Sequence, residues 1–87
     1  MRANLHLHDE QKANTVNKVA VDASTLLGRK VVSMDRTDGA KFSFEDGSWM
    51  LLRLSGTEPL LRLYVEANSA EASAKLTSEA TKWVLEN

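Results

Sequence analysis

The chain has 87 residues, which corresponds to one domain near the lower end of the size at which a core forms unaided. Its net charge of −1 excludes the broadly basic surface typical of nucleic-acid-binding proteins. The absence of cysteine excludes disulfides and thiolate metal sites, and it fits a cytoplasmic location. No apolar run approaches membrane-spanning length, so we expect no membrane partner.

The first eight residues are expected to be a linker or a disordered segment. The alternation in Leu5-His6-Leu7-His8 also fits a short strand. A His-x-His pair can bind a metal ion, but no other Cys or His cluster lies nearby in the sequence. We therefore expect two exposed histidines and no metal site.

A first helix is predicted to begin at Asp9, which we expect to act as the N-cap, and to end at Gly28. Apolar residues recur at helical spacing through this segment, at Ala13, Val16, Ala20, Ala23 and Leu27, with Val19 and Leu26 widening the stripe. This apolar stripe is expected to pack into the core, although it could also be a partner-binding face.

From residue 30 to residue 67 the apolar residues alternate with a period of two, which predicts four antiparallel strands. We expect these strands near 32–34, 40–44, 49–53 and 60–67. Asp46-Gly47 predicts a two-residue type I′ turn between the second and third strands. On the fourth strand, Arg62 is predicted to lie on the face opposite the core.

A last helix is predicted after Asn68, which we expect to be the N-cap with Glu71 reaching back to it. Its apolar residues follow helical spacing, at Ala72, Leu76, Ala80, Trp83 and Val84. The predicted fold is therefore α+β, with a four-stranded antiparallel sheet, two helices on one face and the order α-β-β-β-β-α.

One loop has a composition that indicates a ligand, the run Arg53-Leu54-Ser55-Gly56-Thr57-Glu58-Pro59-Leu60-Leu61-Arg62. If the flanking segments are antiparallel strands, Arg53 and Arg62 face each other, and like charges in that position repel. An anion between them relieves the repulsion, and guanidinium groups bind phosphate oxygens in pairs. Ser55 and Thr57 supply hydroxyl donors, and Gly56 lets backbone N–H groups approach closely.

This run, with the following Leu63-Tyr64-Val65-Glu66 and the preceding Asp46-Gly47-Ser48-Trp49, resembles the C-terminal domain of the α-D-phosphohexomutases, which include phosphoglucomutase and phosphomannomutase. The resemblance is strongest over 38–67 and extends more loosely to nearly the whole chain. It implies a TBP-like sheet with flanking helices. It also implies that residues 1–87 form a single, C-terminal phosphate-binding domain of a phosphohexomutase.

By the same resemblance, Arg53, Ser55, Gly56 and Thr57 match the family's contacts to the substrate phosphate, and Arg62 matches the second arginine of the motif. The implied ligand is a hexose phosphate, held for phosphoryl transfer between positions of one sugar. The family's catalytic serine, its Mg²⁺-binding aspartates and its sugar-reading loop have no counterpart in this chain. The chain by itself is thus expected to have no catalytic residue and no cofactor, and its partners are the remaining domains of a longer enzyme.

Three other interpretations are open. A four-stranded sheet with two helices can bind RNA through aromatic residues, but the aromatic content is only 6%. A stand-alone interaction module could use Met50 and Leu52 as an exposed patch. The loop itself could be an ordinary turn with surface ion pairs. The sequence does not identify the hexose, because the sugar-reading loop lies outside the chain.

Overall fold

The computed structural model describes residues 1–20, 23–55 and 57–86. Within them the chain forms two helices and six strands. In chain order these are β1 (Arg2–His6), α1 (Asp9–Ala20), β2 (Thr25–Leu26), β3 (Arg29–Asp35), β4 (Ala40–Phe44), β5 (Trp49–Leu54), β6 (Leu60–Glu66) and α2 (Ala70–Leu85). The strands form one antiparallel sheet in the order β1-β6-β5-β4-β3-β2.

One face of the sheet forms the core, because every second residue of the three central strands is apolar. Phe42 of β4, Met50 of β5 and Leu63 of β6 are almost completely buried on this face. The apolar stripe of α2 packs against them through Leu76, Ala80 and Val84, and Trp83 covers the margin of the core. The α+β class and all four predicted strands are confirmed, and the first of them, near 32–34, lies within β3. Met50 and Leu52 belong to this core and do not form an exposed patch.

The sheet has two more strands than predicted, one at each edge. At one edge, residues 1–8 contain β1, which pairs with β6 from Arg2↔Tyr64 to His6↔Leu60. The segment is therefore not a linker or disordered, and the alternative of a short strand is the correct one. At the other edge, β2 pairs with the start of β3. Strand β1 satisfies backbone groups of β6 that would otherwise lie along an open edge.

The first helix is shorter than predicted, because the described part of it ends at Ala20 and residues 25–26 belong to β2. Leu27 and Gly28 form the two-residue turn between β2 and β3, with φ angles of 54° and 73°. Positive φ at both positions is the requirement of a type I′ turn. Gly28 therefore ends a strand turn and not a helix.

The predicted apolar stripe on α1 is confirmed at Val19 and is wrong at three other positions. Ala13 and Ala20 are exposed, and Val16 is 48% exposed. Val19 packs against the core as predicted, Thr15 is buried, and the Thr15 hydroxyl donates to the Gln11 carbonyl at 2.8 Å. That backbone bond permits a threonine to be buried on a helix.

The predictions for the β4–β5 turn and for the cap of α2 need correction. The β4–β5 connection is a three-residue loop, because the Phe44 N–H donates to the Ser48 carbonyl and positive φ occurs at Gly47 but not at Asp46. Ser69, and not Asn68, caps α2 by accepting from the Ala72 N–H at 3.0 Å.

At the start of α1 the capping position belongs to His8 and not, as predicted, to Asp9, which is the first helical residue. The His8 Nδ1 atom accepts from the Gln11 N–H at 3.3 Å, and Gln11 Oε1 accepts from the His8 N–H at 3.1 Å. This reciprocal pair satisfies two N–H groups that a helix start leaves without partners. It gives His8 a structural role.

Candidate functional site

The candidate site lies where β5 and β6 meet their connecting loop. Arg53 and Arg62 are direct cross-strand partners in the β5–β6 ladder, and both are exposed on the face opposite the core. The Ser55 N–H donates to the Leu60 carbonyl at 2.9 Å, which extends the ladder beyond the arginines. The predicted pairing of the two arginines across a hairpin is therefore confirmed.

A small pocket of about 240 Å³ opens beside these arginines. It is lined by Arg53, Leu54, Ser55, Glu58, Leu60 and Arg62. Across residues 1–20, 23–55 and 57–86, no carboxylate oxygen lies within 4.0 Å of either guanidinium group. Two positive charges thus converge on one depression, and Glu58, which also lines it, forms no salt bridge with either arginine within the described residues. A pair of cations without a bound carboxylate favours anion binding.

The hydroxyl of Ser55 is oriented by the loop itself. Its Oγ accepts a hydrogen bond from the Glu58 N–H at 3.2 Å. Since the oxygen serves as the acceptor, the hydroxyl proton is left to donate to another group. Ser55 can therefore donate to an anion bound between the arginines.

The remaining predicted contacts are Thr57 and Gly56. Thr57 is exposed and does not line the pocket of Arg53 and Arg62. Gly56 lies outside the described residues. The structure therefore brings Arg53, Ser55 and Arg62 together, and it does not bring Thr57 to the same wall.

Gly39 is a neighbour of Arg53 that the sequence analysis did not identify as part of the site. It precedes β4 with a φ of 126°, which strongly favours glycine. A Cβ atom on Gly39 would lie 2.6 Å from the Leu52 carbonyl oxygen and 3.4 Å from Arg53 Cα. Glycine at this position keeps side chains away from the backbone of Arg53. Only the strand register could have shown this, because Gly39 and Arg53 are distant in sequence.

Arg53 also borders a larger depression of about 510 Å³ beneath the end of α1. That depression is lined largely by apolar residues, including Val19, Leu52 and Leu61. The second arginine there, Arg36, donates to the Val19 carbonyl at 3.1 and 3.2 Å. The smaller pocket differs from this depression because it combines two arginines with a serine hydroxyl.

The described residues contain no group of three or more His, Cys, Asp or Glu side chains placed to hold a metal ion. No helix among them has both the length and the apolar composition needed to cross a membrane. The pocket beside Arg53 and Arg62 offers positive charge and a hydroxyl group.

A family model described as the C-terminal domain of phosphoglucomutase/phosphomannomutase matches residues 3–82. A phosphoglucomutase/phosphomannomutase from Thermococcus kodakarensis is 42% identical, with a match covering 88% of this chain and 17% of that protein. A probable phosphoglucosamine mutase from Methanothermobacter thermautotrophicus is 37% identical over 91% of this chain and 17% of its own length. A phosphopentomutase from Thermococcus kodakarensis is 36% identical over 76% of this chain and 15% of its own length. The chain thus spans about a sixth of these curated relatives.

Proposed function

Because the chain belongs to the family of phosphoglucomutase/phosphomannomutase C-terminal domains, we propose that its β5–β6 loop binds the phosphate group of a hexose phosphate. The observation that carries the proposal is the direct pairing of Arg53 with Arg62 beside the Ser55 hydroxyl, with no carboxylate within 4.0 Å of either guanidinium in the described chain. An anion in this pocket replaces a like-charge repulsion with two attractions.

In this proposal each residue has a distinct role. Arg53 and Arg62 bind phosphate oxygens through their guanidinium forks, and Ser55 donates its hydroxyl proton. Gly56 and Thr57 complete the site through backbone N–H groups and the Thr57 hydroxyl, as the family resemblance implies. No residue of the loop has to act as an acid, a base or a nucleophile, since the task is to hold a charge in place.

The proposed longer protein is an isomerase that moves a phosphoryl group between two positions of one sugar. Phosphoryl transfer depends mainly on positioning and on charge stabilisation. This chain would hold the phosphate that does not react, while the remaining domains would supply the phosphoryl donor and bind Mg²⁺. Such a domain has no turnover by itself.

The names of the relatives support a loop that binds the phosphate group and makes little contact with the sugar. At 36–42% identity to this chain, they are described as acting on glucose or mannose, glucosamine, and pentose phosphates. A loop that contacts the phosphate alone tolerates different sugars and both orientations of one sugar. We therefore propose that sugar selection resides in the other domains.

An amide NMR titration of the 87-residue chain at low salt tests the proposal, with inorganic phosphate, glucose 1-phosphate and glucose 6-phosphate as ligands. We expect the Ser55, Gly56 and Thr57 amides to shift with all three. The three dissociation constants should be similar and on the order of 1 mM, which corresponds to a binding free energy of about −4 kcal/mol. Shifts confined to another surface, or strong preference for one sugar phosphate, would contradict it.

A further inference from the structure

The loop between β5 and β6 is hydrogen-bonded to the segment that joins β1 to α1 and to the first turn of α1. The Leu7 N–H donates to the Pro59 carbonyl at 2.8 Å, and Leu7 is itself buried in the core. In the first turn of α1, the Lys12 ammonium donates to the Glu58 carbonyl at 3.4 Å. Two consecutive loop residues are thus tied to an element far away in sequence.

We infer that Lys12 is a positioning residue for the anion-binding loop. The inference rests on the proposed function of that loop. Lys12 does not line the pocket of Arg53 and Arg62, whereas Glu58 does. Its influence therefore passes through the Glu58 backbone.

A short series of hydrogen bonds connects Lys12 to the Ser55 hydroxyl. Lys12 Nζ donates to the carbonyl of Glu58, and the N–H of the same residue donates to Ser55 Oγ. The Glu58 carbonyl also accepts from the Leu60 N–H at 2.8 Å, so Lys12 uses its second acceptor position. By holding the Glu58 backbone in place, Lys12 keeps the Glu58 N–H donating to Ser55 Oγ. The Ser55 hydroxyl proton then remains directed to the anion.

A simple charge effect must be separated from this contact. A lysine near the loop also attracts anions through space, and salt screens that attraction with a length of about 10 Å at 0.1 M. A direct hydrogen bond within the loop's framework depends much less on salt. Arginine at position 12 would keep both the charge and the donors, whereas methionine keeps only the apolar stem.

The test compares inorganic phosphate binding, by amide NMR titration, in wild type, Lys12→Met and Lys12→Arg. Lys75→Met is the matched control, because Lys75 is an exposed lysine in the first half of α2 and its loss changes the net charge equally. We expect Lys12→Met to bind about two- to fivefold more weakly, as for loss of one modest hydrogen bond. The ratio should persist when sodium chloride is raised, and Lys12→Arg should restore binding. The urea midpoint should stay that of wild type.

Equal binding by wild type and Lys12→Met would overturn the inference and leave the proposed function intact. A loss no larger than that of Lys75→Met, or one that disappears in salt, would also overturn it, because it would show a charge effect alone. Absence of phosphate binding in wild type would overturn both proposals.

Discussion

Replacing Trp83 by alanine should destabilise the fold more than replacing Trp49. Trp83 lies on α2 and contacts the core, with its ring edge-to-face to Phe42 at a centroid distance of 6.4 Å. The Lys18 ammonium lies 5.5 Å from the Trp83 ring centroid. The change therefore removes a ring that connects α2, α1 and the centre of the sheet.

The size of the effect follows from these contacts. Truncating a fully buried Trp costs about 3–5 kcal/mol, and Trp83 is only partly buried, so we expect about 2–3 kcal/mol. Trp49 lies half-buried on the open face, where the Lys41 ammonium lies 4.6 Å from its ring centroid. Loss of that cation–π contact costs about 0.5–1 kcal/mol at an exposed site.

Urea unfolding followed by far-ultraviolet circular dichroism measures the difference. For a small domain with a slope near 1 kcal/mol per molar, the two midpoints should differ by about 1–2.5 M. Trp83→Phe keeps an aromatic ring and should fall between wild type and Trp83→Ala. Equal losses in the two alanine variants, or a larger loss for Trp49→Ala, would refute our assignment of the buried face.

Three further predictions concern the fold. Chelator-treated protein should still unfold in one cooperative thermal transition, since the described helices and strands are satisfied by backbone bonds and apolar packing; a broad melt would contradict this. His8→Ala should lower the free energy of unfolding by about 1 kcal/mol through loss of the α1 cap, and His8→Asn should recover most of it; no loss in a urea melt would show that the cap contributes nothing. The hydroxyl and N–H of Ser48 bind Asp46 and lower its pKa below the ordinary 3.8. That stabilisation is present above pH 3.8 and is lost as the pH falls through the lower folded-state pKa. In urea melts at neutral pH and at a pH below 3.8, the free energy of unfolding should therefore fall further in wild type than in Asp46→Ala.

The central hairpin could be predicted because sequence and packing agree there. Alternating apolar residues fix the register of β5 and β6, and that register places Arg53 opposite Arg62. The edges could not be predicted in the same way. Leu27 continues a helical pattern in sequence, but it adopts a positive φ of 54° that leucine rarely takes.

The contacts around the site were missed for a different reason. Gly39 lies 14 residues before its neighbour Arg53, and Lys12 lies 46 residues before Glu58, to which it donates. No local pattern marks such pairs, and tertiary packing alone brings them together. Chemistry concentrated in one run, such as Arg53 to Arg62, is readable from sequence, whereas its supporting contacts are not.

The most direct test of the account is the phosphate affinity of Arg53→Ala, measured by amide NMR titration at low salt beside wild type and Lys75→Met. Arg53 is exposed, so its removal should leave the fold intact, as judged by unchanged core amide shifts. We predict that Arg53→Ala loses detectable phosphate binding while Lys75→Met binds as wild type does. An unchanged dissociation constant in Arg53→Ala would contradict the assignment of this loop as the phosphate site.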